Sequence, residues 1–211
     1  MAQTKKPDEW IVIDDGIDPT IPTIPAEYIR RKPQPGDPKI TLPLNILTAL
    51  AFVKGDIVLF FEDDEYYAPG YINAMVMALE ASMIAGISKA KYYHLPTRGW
   101  YRNANDRHAS LAQTAIRAAA LPVLMEVIGQ NHDPFIDIKL WAKLKHLGKL
   151  FPDDENPLFV GMKGMPGRPG IGGGHKENLY RGRVDADYSI LKKWMPKDHE
   201  TYIKIREGLF Q

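Results

Sequence analysis

The segment Gly55-Asp56-Ile57-Val58-Leu59-Phe60-Phe61-Glu62-Asp63-Asp64-Glu65 changes character at a single point. Residues 57–61 are an unbroken apolar run of the length of a buried strand. Four carboxylates follow directly. Like charges crowded at a strand end repel one another and lose hydration if a cleft encloses them, so an enclosed cluster calls for a cation. Carboxylate oxygens are hard ligands that suit Mg²⁺ or Mn²⁺. Pro69 and Gly70 then open a helical pattern over residues 71–82. Strand, acids, turn and helix in this order suit a metal–nucleotide site at the carboxyl edge of an α/β sheet. Without a ligand, the same residues are a solvated acidic turn.

On either side of this segment, apolar runs alternate with helical patterns. Residues 10–13 form a short strand ending in Asp14-Asp15-Gly16, and residues 43–53 carry Leu44, Leu47, Leu50 and Ala51 at helical spacing. Strands are expected over 84–93 and 99–102. Residues 110–120 and 121–128 read as helical, with Pro122 in a first turn. A helix over 137–147 places Leu140, Leu144 and Leu147 on one face, and short helices are expected over 188–195 and 199–206. The alternation predicts an α/β fold with a mixed, mainly parallel sheet flanked by helices.

The 211 residues suffice for one substantial core, and a formal net charge of +1 offers no general attraction to a polyanion. The chain has no cysteine, which excludes disulfides and thiolate metal sites and fits a reducing compartment, so a cytoplasmic location is expected. No apolar run approaches the length of a membrane span, and the polar start is not a signal peptide. Glycine and proline concentrate in residues 161–174, which read either as an inert linker or, more sharply, as a lid within a domain.

Several separated motifs, taken together, resemble family 2 glycosyltransferases of GT-A fold. Gln3-Thr4, Pro7 and Ile11-Val12-Ile13-Asp14-Asp15-Gly16 resemble the family's opening segment. Asn45 and Gly55-Asp56-Ile57-Val58 resemble its approach to the metal strand, and Glu62-Asp63-Asp64 stands at its Asp-x-Asp motif. Asp137-Ile138-Lys139-Leu140-Trp141 resembles the Glu-Asp-x-x-Leu-Trp motif that carries the catalytic base. The likeness runs from residue 2 to about residue 147, with an echo at Gly172-Gly173-Gly174-His175. It implies one GT-A-like domain over 1–211, with a nucleotide-binding half over about 1–64 and an acceptor half over about 65–211.

The resemblance also implies roles. Asp14 and Asp15 would meet the nucleotide base, although an Asp-Asp-Gly turn is common without one. Asp63 would hold the ribose and Asp64 the metal bridging the diphosphate, with Glu62 reaching the ribose or the metal or only supporting the strand end. His175 would complete the metal site, and Arg168 and Lys176 would face the diphosphate; otherwise all three are solvated surface. Asp137 would be the general base of an inverting transfer, or else the N-cap of its helix, with Asp133 as the alternative base. Trp141 would stack on a sugar or sit in the core.

The chain departs from the pattern at Glu62, which replaces the motif's first Asp, at Ile17, which replaces the usual Ser after Asp-Asp-Gly, and in two larger ways. Ile136 replaces the family's glutamate, and by comparison with the family a strand and part of a helix, roughly 25–30 residues, have no counterpart before Met1. The strand edge this leaves uncovered would favour a homo-oligomer. The expected partners are a nucleoside diphosphate sugar, a UDP-sugar foremost, and an acceptor that is a glycan, a small molecule or a modified nucleic-acid base. The competing functions are a non-catalytic nucleotide-sugar binder of the same fold and a nucleotidyltransferase.

Overall fold

In the computed structural model, which describes residues 3–129, 134–153, 155–165 and 175–210, the acidic turn lies between two four-stranded sheets. The first sheet has the order β3 (Ile57–Leu59), β8 (Thr114–Arg117), β5 (Ile84–Ile87), β9 (Gly148–Phe151). The second has the order β4 (Tyr66–Tyr67), β10 (Phe159–Lys163), β6 (Lys89–His94), β7 (Gly99–Ala104). A separate parallel pair joins β1 (Ile11–Asp14) to β2 (Glu27–Arg30).

The mixed α/β class stands, and the parallel pairs are β1–β2, β5–β9 and β6–β10. The other ladders are antiparallel, so parallel pairing does not dominate among the described residues. The cause is a correction to the sequence reading. Residues 110–120 are not a helix: two 3-10 turns, Leu111–Gln113 and Ala118–Ala120, flank strand β8. Alanine favours helices in isolation, but this segment fills the gap between β3 and β5 and bonds to both. There tertiary contact outweighs propensity.

Period-two alternation on β8 divides the core. Ile116 faces a cluster with Ile84, Leu124, Leu140 and Trp141, whereas Ala115 faces one with Tyr71, Met75, Leu79 and Phe159. Helices α1 (Leu42–Leu50), α3 (Leu121–Ile128) and α4 (Ile136–Leu144) cover the first face, and α2 (Tyr71–Ala78) covers the second. Pro43 and Pro122 sit in the first turns of α1 and α3, where a missing N–H costs nothing. Helices α5 (Ser189–Trp194) and α6 (His199–Phe210) pack Leu191, Trp194 and Tyr202 against the second sheet.

Trp141 belongs to the core and does not serve as a sugar platform: it is 1% exposed and its Nε1 donates to Thr114 Oγ1 at 3.0 Å. Its ring lies over Gly86 of β5 and Gly148 of β9. The 161–174 loop also begins later than expected, because Gly161 to Lys163 pair with β6 as part of β10. Residues 166–174, Arg168 among them, and Asp133 lie outside the described residues. Among the described residues, β1 and β3 each carry a partner strand on one edge only.

A Cβ at Gly86 would stand 2.5 Å from the Ala109 methyl, 2.8 Å from Trp141 Cζ2 and 3.0 Å from the Gln113 carbonyl. None of these neighbours is the free end of a flexible chain. Gly86→Ala is therefore expected to destabilise the fold by about 1–3 kcal/mol, the usual cost of overpacking. Thermal denaturation monitored by circular dichroism checks this; an unchanged melting temperature would mean that Trp141 does not seat on β5 as described.

Candidate active site

Residues Glu62–Glu65 turn between the first sheet and the second. The Glu65 N–H donates to the Glu62 carbonyl at 3.3 Å, closing the turn, and the Glu62 N–H donates to the Tyr67 hydroxyl at 2.9 Å. Carboxylate oxygens of Glu62, Asp64 and Glu65 lie within 4.8 Å of one another, the described group that could hold a metal ion. Asp63 points outward and is exposed.

Glu65 already has a partner on each carboxylate oxygen. It is 6% exposed, one oxygen accepts the Met162 N–H, and the other accepts the Lys163 ammonium. Lys163 is equally buried and lies 5.9 Å from the centre of the Tyr92 ring. Strand register explains the placement. Phe159, Gly161 and Lys163 alternate onto the face of β10 opposite Val160 and Met162, and Gly161 sits beside Tyr92. A side chain at Gly161 would run into the Tyr92 ring, so the glycine leaves room for the Tyr92–Tyr101 stack, centroids 4.9 Å apart at 10°.

Electrostatics follow from this crowding. Burial pushes the Glu62 carboxyl up to about 7; Lys163 opposes the rise, and Asp64, Asp137 and Asp63 add to it. Burial raises Asp64 too, again against Lys163. Burial lifts Glu65 against the pull of its lysine. For Lys163, burial works downward, and contact with Glu65 outweighs it, so the ammonium is held protonated.

By its charge, Asp137 adds to the rise of the Glu62 carboxyl and of the Tyr92 hydroxyl. It is not the N-cap of α4, a position that Phe135 takes. Instead it is half-buried in the first turn, with Oδ1 accepting the Ile138 N–H at 2.9 Å. Burial raises its carboxyl, while the Ile138 N–H and the His108 charge work the other way. Ile136 is 1% exposed within the core, so the position that departs from the family motif faces inward.

Other expected residues stand apart. Asp14 accepts from Tyr28 Oη at 2.6 Å, Thr20 N at 3.0 Å, Gly16 N at 2.8 Å and Arg30 Nη1 at 2.9 Å. The tyrosine bond leads these in holding its carboxyl below the ordinary range. Asp15 pairs with Arg31, which also binds Asp37 and Asn45. Both aspartates are thus committed to the β1–β2 edge. His175 is not in the 4.8 Å carboxylate group; burial, then Lys163 and His94, depress its imidazole to about 4, leaving it neutral. Lys176 is exposed. The sequence reading missed Lys163, whose signal was a charged residue within an apolar strand, Phe159-Val160-Gly161-Met162-Lys163.

The sequence profile of Glycosyl transferase family 2 matches residues 1–132, and the chain belongs to this family. Its GT-A fold accords with the mixed sheets and flanking helices. The match ends before α4, so Asp137 lies beyond it. A comparison with curated proteins finds no match. Among the described residues no helix is long and apolar enough to cross a membrane.

The raised Glu62 carboxyl has a consequence for stability. Unfolded, it titrates near 4.5; folded, near about 7. Between these values the folded state binds the extra proton, so its contribution is full below the lower value and is lost as pH rises through the upper one. The metal-free protein should therefore melt at lower temperature at pH 8 than at about pH 5, and Glu62→Gln should flatten that slope. A melting series in chelator across this range checks it; a wild-type slope of opposite sign would refute the assignment.

Proposed function

We propose that this chain is a metal-dependent inverting glycosyltransferase that moves a sugar from a nucleoside diphosphate, UDP foremost, to a hydroxyl acceptor. The observation that carries the reading is the carboxylate cluster of Glu62, Asp64 and Glu65 at the strand end, in a chain of this family. Asp137, in the first turn of α4, would supply the carboxylate for the acceptor, and the stacked Tyr92 and Tyr101 rings a face for it.

The donor set fits Mn²⁺ or Mg²⁺: hard oxygens, close together, with no thiolate in the chain. Glu62 and Asp64 would hold the ion, since both Glu65 oxygens are engaged. Bound there, the ion supplies Lewis-acid stabilisation of the diphosphate leaving group. Asp137 takes the acceptor hydroxyl proton as the oxygen bonds to the anomeric carbon. The bond from that carbon to the diphosphate breaks, its electron pair leaves with the nucleotide, and the configuration inverts. The Asp14–Arg30 and Asp15–Arg31 pairs shape the base end of the donor pocket, and the exposed Asp63 reaches the ribose. The ring faces on β6 and β7 suit a sugar or a base as acceptor. A chain without cysteine fits a cytoplasmic setting.

Incubation with a panel of nucleotide sugars and Mn²⁺, reading nucleoside diphosphate release with water as the default acceptor, tests the proposal. Release that chelator stops and Asp64→Asn abolishes is the expected result. Asp137→Asn should slow acceptor-dependent transfer by roughly 10²-fold or more while leaving nucleotide affinity unchanged. Binding without turnover across the panel would instead indicate a non-catalytic nucleotide-sugar binder, and pyrophosphate release a nucleotidyltransferase.

A further inference from the structure

Lys163 has no part in the mechanism as derived, yet it occupies the centre of the site. Its charge reaches Glu62, Asp64, Glu65, His175 and Tyr101. The side chain is 7% exposed, and Glu65 accepts from the ammonium. An ammonium carries three donors, and burying it is costly unless its hydrogen bonds are made. Glu65 takes one, and the Tyr92 face contributes weaker electrostatic attraction. Glu65 is itself anchored by the Met162 N–H, so it can hold the lysine in a fixed position rather than following a ligand.

We propose that Lys163 is the cation that meets the diphosphate of the bound nucleotide, and that Glu65 is its positioning residue and not a metal ligand. The inference rests on the nucleotide-sugar reading of this site. It assigns two jobs within one acidic turn. Glu62 and Asp64 would hold the metal, while Glu65 turns back to the second sheet and fixes a positive group there. The diphosphate would then meet positive charge from both the metal and Lys163. Among the described residues Glu65 accepts from this ammonium, which carries three donors, and phosphate oxygens accept strong charge-assisted hydrogen bonds.

The test uses the full chain with UDP, uridine and Mn²⁺ as probes. Calorimetry measures UDP and uridine, each with Mn²⁺ and with chelator; electron paramagnetic resonance measures Mn²⁺ alone. Lys163→Met should weaken UDP roughly tenfold to a hundredfold, as loss of hydrogen bonds from a charged donor does, and leave uridine unchanged. Glu65→Gln should keep Mn²⁺ affinity within about threefold, whereas Asp64→Asn should abolish it. Equal losses for UDP and uridine in Lys163→Met would reduce the lysine to a structural role and overturn the inference. So would loss of Mn²⁺ binding in Glu65→Gln. If Lys163→Met does not fold, Glu65→Gln/Lys163→Met, which leaves no unpaired charge, carries the same comparison. A wild-type protein that binds neither UDP nor Mn²⁺ would refute the nucleotide-sugar reading itself, and this inference with it.

Discussion

Four carboxylates in succession cannot be enclosed without a compensating charge, and in this chain the compensation begins with Glu65 and Lys163. Glu65 sits just before β4 and Lys163 ends β10, so their contact links the acidic turn to the second sheet. The Met162 N–H locks the other Glu65 oxygen to the same strand. Removing one member of such a buried pair typically costs about 3–5 kcal/mol, because the other is left charged without a partner. The turn is thus held with Glu62 and Asp64 partly buried.

The aromatic residues around this pair serve the same end. Tyr67 bonds the Glu62 N–H and packs against Phe61, Tyr71 and Phe159, which stiffens the strand end from below. Tyr92 and Tyr101 stack beside Gly161 and form the wall that Lys163 touches. Tyr180 closes the far side, edge-on to Tyr101 and near His94. An apolar lining of this kind lowers the local dielectric, so each charge in the cleft acts more strongly on the others than it would in water. The raised Glu62 carboxyl is the outcome.

At the opposite end, Arg30 and Arg31 hold Asp14 and Asp15 in a network that also takes in Tyr28, Asp37 and Asn45. These residues are far apart in sequence, and β1–β2 pairing brings them together: Asp14 stands opposite Arg30 in register. The motif aspartates therefore have a structural duty at the sheet edge whatever they contact in a ligand.

Much of this protein was legible in residue order. The apolar run before Glu62, the helix after Gly70 and the Leu140–Leu144 face of α4 follow from periodicity, because burial of one face imposes a repeat on the chain; Leu147, expected on that face, lies in a 3-10 turn and is exposed. The family, too, was legible, since motifs in fixed order survive without coordinates. Three matters were decided only by tertiary structure. Residues 114–117 look helical by composition and become a central strand because two neighbouring strands offer them hydrogen bonds. Trp141 could have faced a ligand or the core, and two glycines from β5 and β9 drew it inward. Lys163 lies 98 positions from Glu65, and only the pairing of β10 with β4 and β6 brings that cation to the acids. Local order encodes which residues repel or avoid water; which distant partner relieves them depends on the sheet, whose long-range contacts no local pattern records.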